Sequence, residues 1–182
     1  MEKIERSEVH GRKIRCALVG CGRISQKHLE ALEVHFADLQ LVAVCDVEPT
    51  KLAAAVLSLG VRGFSNLDAL LVESDADVVI LCTPSGLHAD QTVSIASAGK
   101  HVITEKPMAT RWEDGKRMVQ ACDSAGVRLF VVKQNRCNET VQLLKRAVKG
   151  GRFGRIYMVN INVFWTRSQD YYESAPWRGT WE

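Results

Sequence analysis

Three stretches of the chain place chemistry-bearing residues directly after apolar runs. In "GCGRIS", Gly20 permits a tight turn and Gly22 lets an anion approach backbone N–H groups at the positive end of a following helix, with Arg23 and Ile24 in the same cradle. Ser25 stands where a third glycine is common, so the pattern is a relaxed form of the dinucleotide fingerprint. In "AVCD", Asp46 ends the next apolar run, where a carboxylate can accept hydrogen bonds from both adenosine ribose hydroxyls and repel a 2′-phosphate. A strand, a glycine turn and that carboxylate suit NAD rather than NADP. Asp46 taken by itself would also serve as a turn former or helix cap.

In "CTPSGLHADQ", Thr83 and Pro84 would shape a floor beneath the nicotinamide half, and His88 opens a helix. A charged imidazole is disfavoured at a helix start, so a neutral ring is expected there. In "HVITEKPMA", Val102 and Ile103 give way at once to Glu105, Lys106 and Pro107. As isolated residues such a pair belongs on any surface. At the carboxyl end of a parallel strand it lies where ligands are met, and Pro107 stiffens the exit by fixing φ.

The elements that must position these residues are legible as an alternation. "KIRCALVG", "LQLVAVCD", the shorter "VRGFS", "ADVVILCT", "HVITEK" and "VRLFVVK" are mostly continuous apolar runs, the pattern of strands buried on both faces. Helical spacing lies between them. Leu29, Leu32, Phe36 and Leu39 suggest one apolar face after Gly22; Leu52, Val56 and Leu59 suggest another, started by Pro49 and stopped by Gly60. Thr110 with Glu113 reads as a capping box ahead of Met118, Val119 and Cys122, with Gly126 as the stop. The expected fold class is α/β: a doubly wound parallel sheet over residues 13–133, preceded by a polar arm at 1–12.

Beyond Lys133 the pattern changes. "NETVQLLKRAVKGG" predicts an amphipathic helix, and in "RIYMVNINVFW" Val159, Ile161 and Val163 alternate with Asn160 and Asn162. That predicts a half-exposed strand opening an α+β, mainly antiparallel sheet domain over 134–182, with its other strands outside this sequence. Lys145, Arg146, Lys149, Arg152 and Arg155 either complement a helix C-terminus or meet an anionic ligand.

Composition narrows the class. The 182 residues are 46% hydrophobic and 25% charged with a formal charge of +3, which implies neither a membrane span nor a nucleic-acid partner. The polar start "MEKIERSEVHGRK" has no secretory pattern, so a cytoplasmic protein is expected. Six cysteines without CxxC spacing read as buried free thiols, and no metal is expected.

Taken in order, "GCGRISQKH", "AVCD", "CTPSGLHAD", "AGKHVITEKPMA" and "GGRFGRIYMVN" resemble the glucose-fructose oxidoreductase and inositol dehydrogenase family, Gfo/Idh/MocA. Within it, "VVKQNRCNETVQLLKRAV" and the stretch ending "WRGTWE" are similar to UDP-N-acetylglucosaminuronate 3-dehydrogenases. The resemblance implies an NAD-dependent oxidoreductase acting at a sugar C3 hydroxyl, for lipopolysaccharide O-antigen biosynthesis. It also implies a large antiparallel second domain and a homo-oligomer, dimer or tetramer.

By the same resemblance Lys106 is the catalytic cation, bound to both substrate and cofactor, and Glu105 holds Lys106 and the nicotinamide ribose. Asn135, Arg136 and Arg167 would meet the nucleotide sugar. Tyr171, Tyr172, Trp177 and Arg178 suit either a uridine diphosphate or a subunit interface. A second catalytic group, a histidine, is implied beyond Glu182, so these residues are expected to bind cofactor better than they turn over substrate. Two alternatives remain: a dehydrogenase of a free sugar or inositol, and a catalytically silent NAD-binding module.

Overall fold

The computed structural model describes residues 9–175 together with Arg178 and Gly179. It divides into two units, one reaching Val132 and one starting at Lys133. Most of the N-terminal arm, and Trp177, lie outside the described residues.

The first unit is a six-stranded parallel sheet: β1 (Ile14–Val19), β2 (Leu39–Cys45), β3 (Arg62–Phe64), β4 (Val78–Leu81), β5 (His101–Thr104) and β6 (Leu129–Val131). The strands lie in the order β3-β2-β1-β4-β5-β6, so chain direction across the sheet reverses between β1 and β4. At such a reversal the loops part to opposite faces and leave a crevice over the strand ends. β4, Val-Val-Ile-Leu, is buried at every position, as its unbroken apolar run requires.

Successive β1 side chains feed different layers. Cys16 and Leu18 join Leu32, Val44 and Ile80 on one face; Ala17 and Val19 join Leu70, Leu81, Ile95 and Cys122 on the other. Helices α1 (Ser25–Val34) and α2 (Pro49–Leu59) supply the first layer. Helices α3 (Leu67–Glu73), α4 (His88–Ser97) and α5 (Trp112–Ser124) supply the second, completing the doubly wound architecture. Local chemistry sets the ends: Pro49 opens α2, Gly60 closes it at φ 65°, and the Asn66 side chain caps α3 by accepting the Ala69 N–H at 2.8 Å.

The amino edge of the sheet is tied by charge. Arg12 grips Asp77 through two guanidinium nitrogens at 2.6 and 2.8 Å, and the Arg15 N–H donates to the same carboxylate at 2.8 Å. Lys100 donates to the Ser74 and Ala76 carbonyls at 3.2 and 2.9 Å.

Three expectations need correction. The helix after Gly22 ends at Val34; Phe36 is 68% exposed beneath the Lys13 ammonium, and Leu39 opens β2, because the helical spacing ran on through a turn. No capping box forms at Thr110, since Arg111 occupies the cap position without a side-chain bond and Glu113 and Asp114 instead face the positive helix end. Met118 and Cys122 are buried on α5 but Val119 is not. Apart from these, "RIYMVNINVFW", expected as a strand whose partners lie outside this sequence, pairs with no described strand.

That last segment lies in the second unit, with a 3-10 turn Gln134–Cys137, helix α6 (Glu139–Lys149) and helix α7 (Gln169–Glu173). Val159, Ile161 and Val163 are all at least 70% exposed there. An alternating strand keeps its form only when something accepts its ladder bonds and its apolar face.

Candidate active site

The cradle expected at Gly20–Ser25 forms between β1 and α1. Gly20 adopts φ +93°, and a Cβ built on it would lie 2.8 Å from the Cys82 carbonyl carbon at the end of β4. Only glycine lets the two strand exits approach so closely. Gly22 differs: a Cβ there would meet nothing within 4 Å. Packing within the chain therefore does not demand this glycine, whereas a ligand seated on the backbone would.

The N–H groups of Gly22, Arg23 and Ile24 find no acceptor among the described residues, and Arg23 and Ile24 are exposed. Three open donors at a helix N-terminus fit a pyrophosphate. The missing third glycine has a structural explanation, because Ser25 is buried and its hydroxyl donates to the Gly22 carbonyl at 2.5 Å, closing the loop.

Asp46 does more than its expected task. One carboxylate oxygen accepts the Cys21 N–H at 2.7 Å and the other accepts the Glu48 N–H at 2.8 Å. A carboxylate offers about four acceptor positions, so two remain for ribose hydroxyls. The turn-former and cofactor readings of Asp46 are thus compatible.

At the end of β4 the Thr83 hydroxyl donates to Gln91 of α4 at 2.5 Å, and Pro84 precedes a 3-10 turn, Ser85–Leu87. His88 has a different place from the one expected. It is 1% exposed, and its ring nitrogens face the Pro107 carbonyl at 2.9 Å and the Thr83 carbonyl at 3.0 Å. No nitrogen is left for a ligand; His88 is a strut joining the β4 exit to the turn after Lys106.

Glu105 is 8% exposed, whereas Lys106 is exposed and joined to Pro107 through a cis peptide. One Glu105 oxygen lies 2.9 Å from His28 Nε2 and the other accepts the Lys106 backbone N–H at 3.2 Å. Among the described residues no ion pair or hydrogen bond engages the Lys106 ammonium. The acid is held between His28 and the turn, with acceptor positions to spare, and the base is presented outward. Sequence reasoning missed His28; the available signal was its position one helical turn beyond Ser25, on the same face of α1.

Burial disfavours the thiolate form of the cysteines near the cradle. Burial pushes the Cys82 thiol up to about 12 and the Cys21 and Cys45 thiols up to about 11. All six cysteines are free.

Gly20, Gly22, Arg23, Ile24, Asp46, Thr83, Pro84, Glu105 and Lys106 therefore gather where β1, β2, β4 and β5 end. Asn135, Arg136 and Arg167 belong to the second unit and are exposed. There the Arg167 guanidinium stacks 3.7 Å from the Trp165 ring centroid and 4.8 Å from that of Tyr171. The Arg178 guanidinium lies 4.3 Å from the Tyr171 ring centroid, and Tyr171 meets Tyr172 edge to face.

Comparison with known proteins gives a consistent picture. The sequence model of an oxidoreductase family with an NAD-binding Rossmann fold, Gfo/Idh/MocA, matches residues 14–133. The WlbA dehydrogenase of Bordetella pertussis, solved with NADH and UDP-GlcNAcA, is 60% identical at a TM-score of 0.91, over 93% of this chain and 52% of that one. The WlbA dehydrogenase of Chromobacterium violaceum, solved with the same two molecules, is 59% identical at a TM-score of 0.93, over 100% of this chain and 52% of that one. Inositol 2-dehydrogenase of Rhizobium meliloti is 33% identical over 150 residues, which is 81% of this chain and 44% of the relative. The chain thus spans about half the length of the relatives it matches.

Proposed function

The chain belongs to the Gfo/Idh/MocA oxidoreductases, and from that premise we propose that it binds NAD along the carboxyl edge of its sheet and serves oxidation of the C3 hydroxyl of UDP-N-acetylglucosaminuronate. The observation that carries the substrate is the 60% identity to a dehydrogenase solved with NADH and UDP-GlcNAcA. The cofactor half rests in addition on the open cradle at Gly22 and the three free N–H donors beside it.

Bound NAD supplies a hydride acceptor. Gly22, Arg23 and Ile24 hold its pyrophosphate through backbone N–H groups, and Asp46 accepts the adenosine ribose hydroxyls while excluding a 2′-phosphate. Glu105 meets the nicotinamide ribose. Lys106, outward and unpaired with Glu105, hydrogen-bonds the substrate hydroxyl and stabilises its oxygen as negative charge gathers there. Asn135, Arg136 and Arg167 contribute to the nucleotide sugar, with a guanidinium suited to carboxylate or phosphate. The reading assigns the reaction to the cytoplasm, within a homo-oligomer of the whole protein, and to the supply of sugars for lipopolysaccharide.

The test mixes the protein with NAD and UDP-N-acetylglucosaminuronate and follows absorbance of the reduced nicotinamide. Reduction dependent on the nucleotide sugar supports the reading. Reduction with free inositol in its place, an outcome in keeping with the 33% identity to inositol 2-dehydrogenase, would move the substrate to a cyclitol. Tight NADH binding with no turnover would leave a cofactor-binding module.

A further inference from the structure

His28 and Glu105 come from elements that the topology keeps apart. His28 sits in α1, directly after β1, and Glu105 directly follows β5; β4 lies between those strands in the sheet. Adjacent parallel strands are roughly 4.8 Å apart, so the contact reaches across about 10 Å of sheet edge, over the crevice at the reversal point. It does so within hydrogen-bond distance, at 2.9 Å, with the two side chains 14% and 10% exposed.

A carboxylate so nearly buried needs its acceptors filled. Glu105 has two protein donors, His28 on Oε1 and the Lys106 backbone N–H on Oε2. The second is local to the turn and cannot by itself fix the carboxylate relative to the rest of the cleft. The first ties it to the helix whose N-terminus forms the pyrophosphate cradle.

We propose that His28 is a positioning residue for the nicotinamide half of the cofactor. By donating its Nε2–H to Glu105 it sets the carboxylate at a fixed distance from the cradle, with acceptor positions left for a vicinal diol, and it steadies the backbone from which Lys106 projects. This rests on the NAD reading given above. The ligand chemistry it governs is the nicotinamide ribose; the adenosine half, held by Asp46 and the glycine loop, does not depend on it.

NADH and ADP affinities, measured by calorimetric titration, separate these halves. His28→Ala is expected to weaken NADH roughly 10-fold, the scale of one lost charge-assisted hydrogen bond, while ADP affinity stays within about 2-fold. His28→Gln, whose amide N–H replaces Nε2–H, restores NADH to within about 3-fold of wild type. In a Glu105→Ala background, His28→Ala adds no further loss, because the interaction it would remove is already gone.

Equal losses for NADH and ADP in His28→Ala would reduce His28 to a structural residue and overturn the inference, as would unchanged NADH affinity. Should His28→Ala fail to fold, Glu105→Ala with and without His28→Gln asks the same question: a separate effect of His28→Gln in that background overturns the coupling. A wild-type chain that binds neither NADH nor ADP overturns the cofactor reading itself, whereas one that binds both while the variants keep the wild-type ratio overturns only the role of His28.

Discussion

Asp46 accepts the Cys21 N–H at 2.7 Å, so the carboxylate expected to read a ribose also pins the loop expected to hold a pyrophosphate. Reading and holding are therefore coupled in one side chain. Asp46→Ala is expected to weaken NAD by about 10-fold or more and relax discrimination against NADP, and to lower stability by about 1–2 kcal/mol through two orphaned backbone donors. Titration with both cofactors and urea unfolding check the two effects; unchanged cofactor selectivity would remove the argument for NAD.

Lys106 should separate binding from chemistry. Lys106→Met keeps length and apolar packing but removes the cation, so any turnover with the nucleotide sugar is expected to fall about 100- to 10,000-fold. NADH affinity stays close to wild type, because the ammonium holds up no other described side chain. Stopped-flow reduction of NAD measures the first and fluorescence titration the second.

The two glycines of the cradle should respond oppositely to alanine. Gly20→Ala places a Cβ at φ +93° and 2.8 Å from the Cys82 backbone, so it destabilises the fold by roughly 2–4 kcal/mol. Gly22→Ala meets open space and leaves the melting temperature near wild type, yet it lowers NAD affinity because the methyl stands where the pyrophosphate must approach. A Gly22→Ala protein that binds NAD normally would mean the anion sits elsewhere.

Acid should act on the amino edge of the sheet. The hydrogen bond from Arg12 holds the Asp77 carboxyl well below the usual carboxylate range, against the opposing effect of burial. A depressed native value makes this contribution complete above the unfolded value of about 3.9, and it is lost as pH falls below that through the native value. Asp77→Asn is expected to cost about 1–3 kcal/mol near pH 7 and to flatten the loss of stability between about pH 4 and pH 2. Urea unfolding across that range would detect a variant that remains as acid-sensitive as wild type, which would contradict this assignment.

Thiol accessibility offers an independent check on the core. Cys137 is exposed, whereas Cys16, Cys45, Cys82 and Cys122 are buried. A disulfide reagent at neutral pH should label Cys137 rapidly and the buried four only on unfolding, and Cys21 slowly, since burial pushes its thiol up to about 11. Rapid labelling of Cys82 in the native protein would argue against the close approach of the β1 and β4 exits.

The strands were legible because a two-face-buried sheet demands unbroken apolar runs, and Val78 to Leu81 could be little else. Asp46 and Gly20 were legible because a strand end fixes where they must lie. Single-helix details were not: the spacing from Leu29 to Leu39 fits one helix, yet Leu39 serves β2, and nothing local records that change of allegiance. Val159, Ile161 and Val163 show the converse: their alternation is a strand's, yet they pair with no strand among the described residues. His28 escaped notice because its partner is remote in sequence, and only the strand order brings α1 to the end of β5.

The ion pairs of Asp77 and the ligand cradle stand at opposite ends of the same strand. β1 has six residues, which at about 3.3 Å each separates the two by roughly 20 Å. That exceeds the approximately 8 Å over which exposed charges sense one another at physiological ionic strength. Heat tolerance can thus be adjusted by recharging Arg12, Arg15 or Asp75 with the cofactor's electrostatic surroundings left as they are, and selection on the two traits need not conflict.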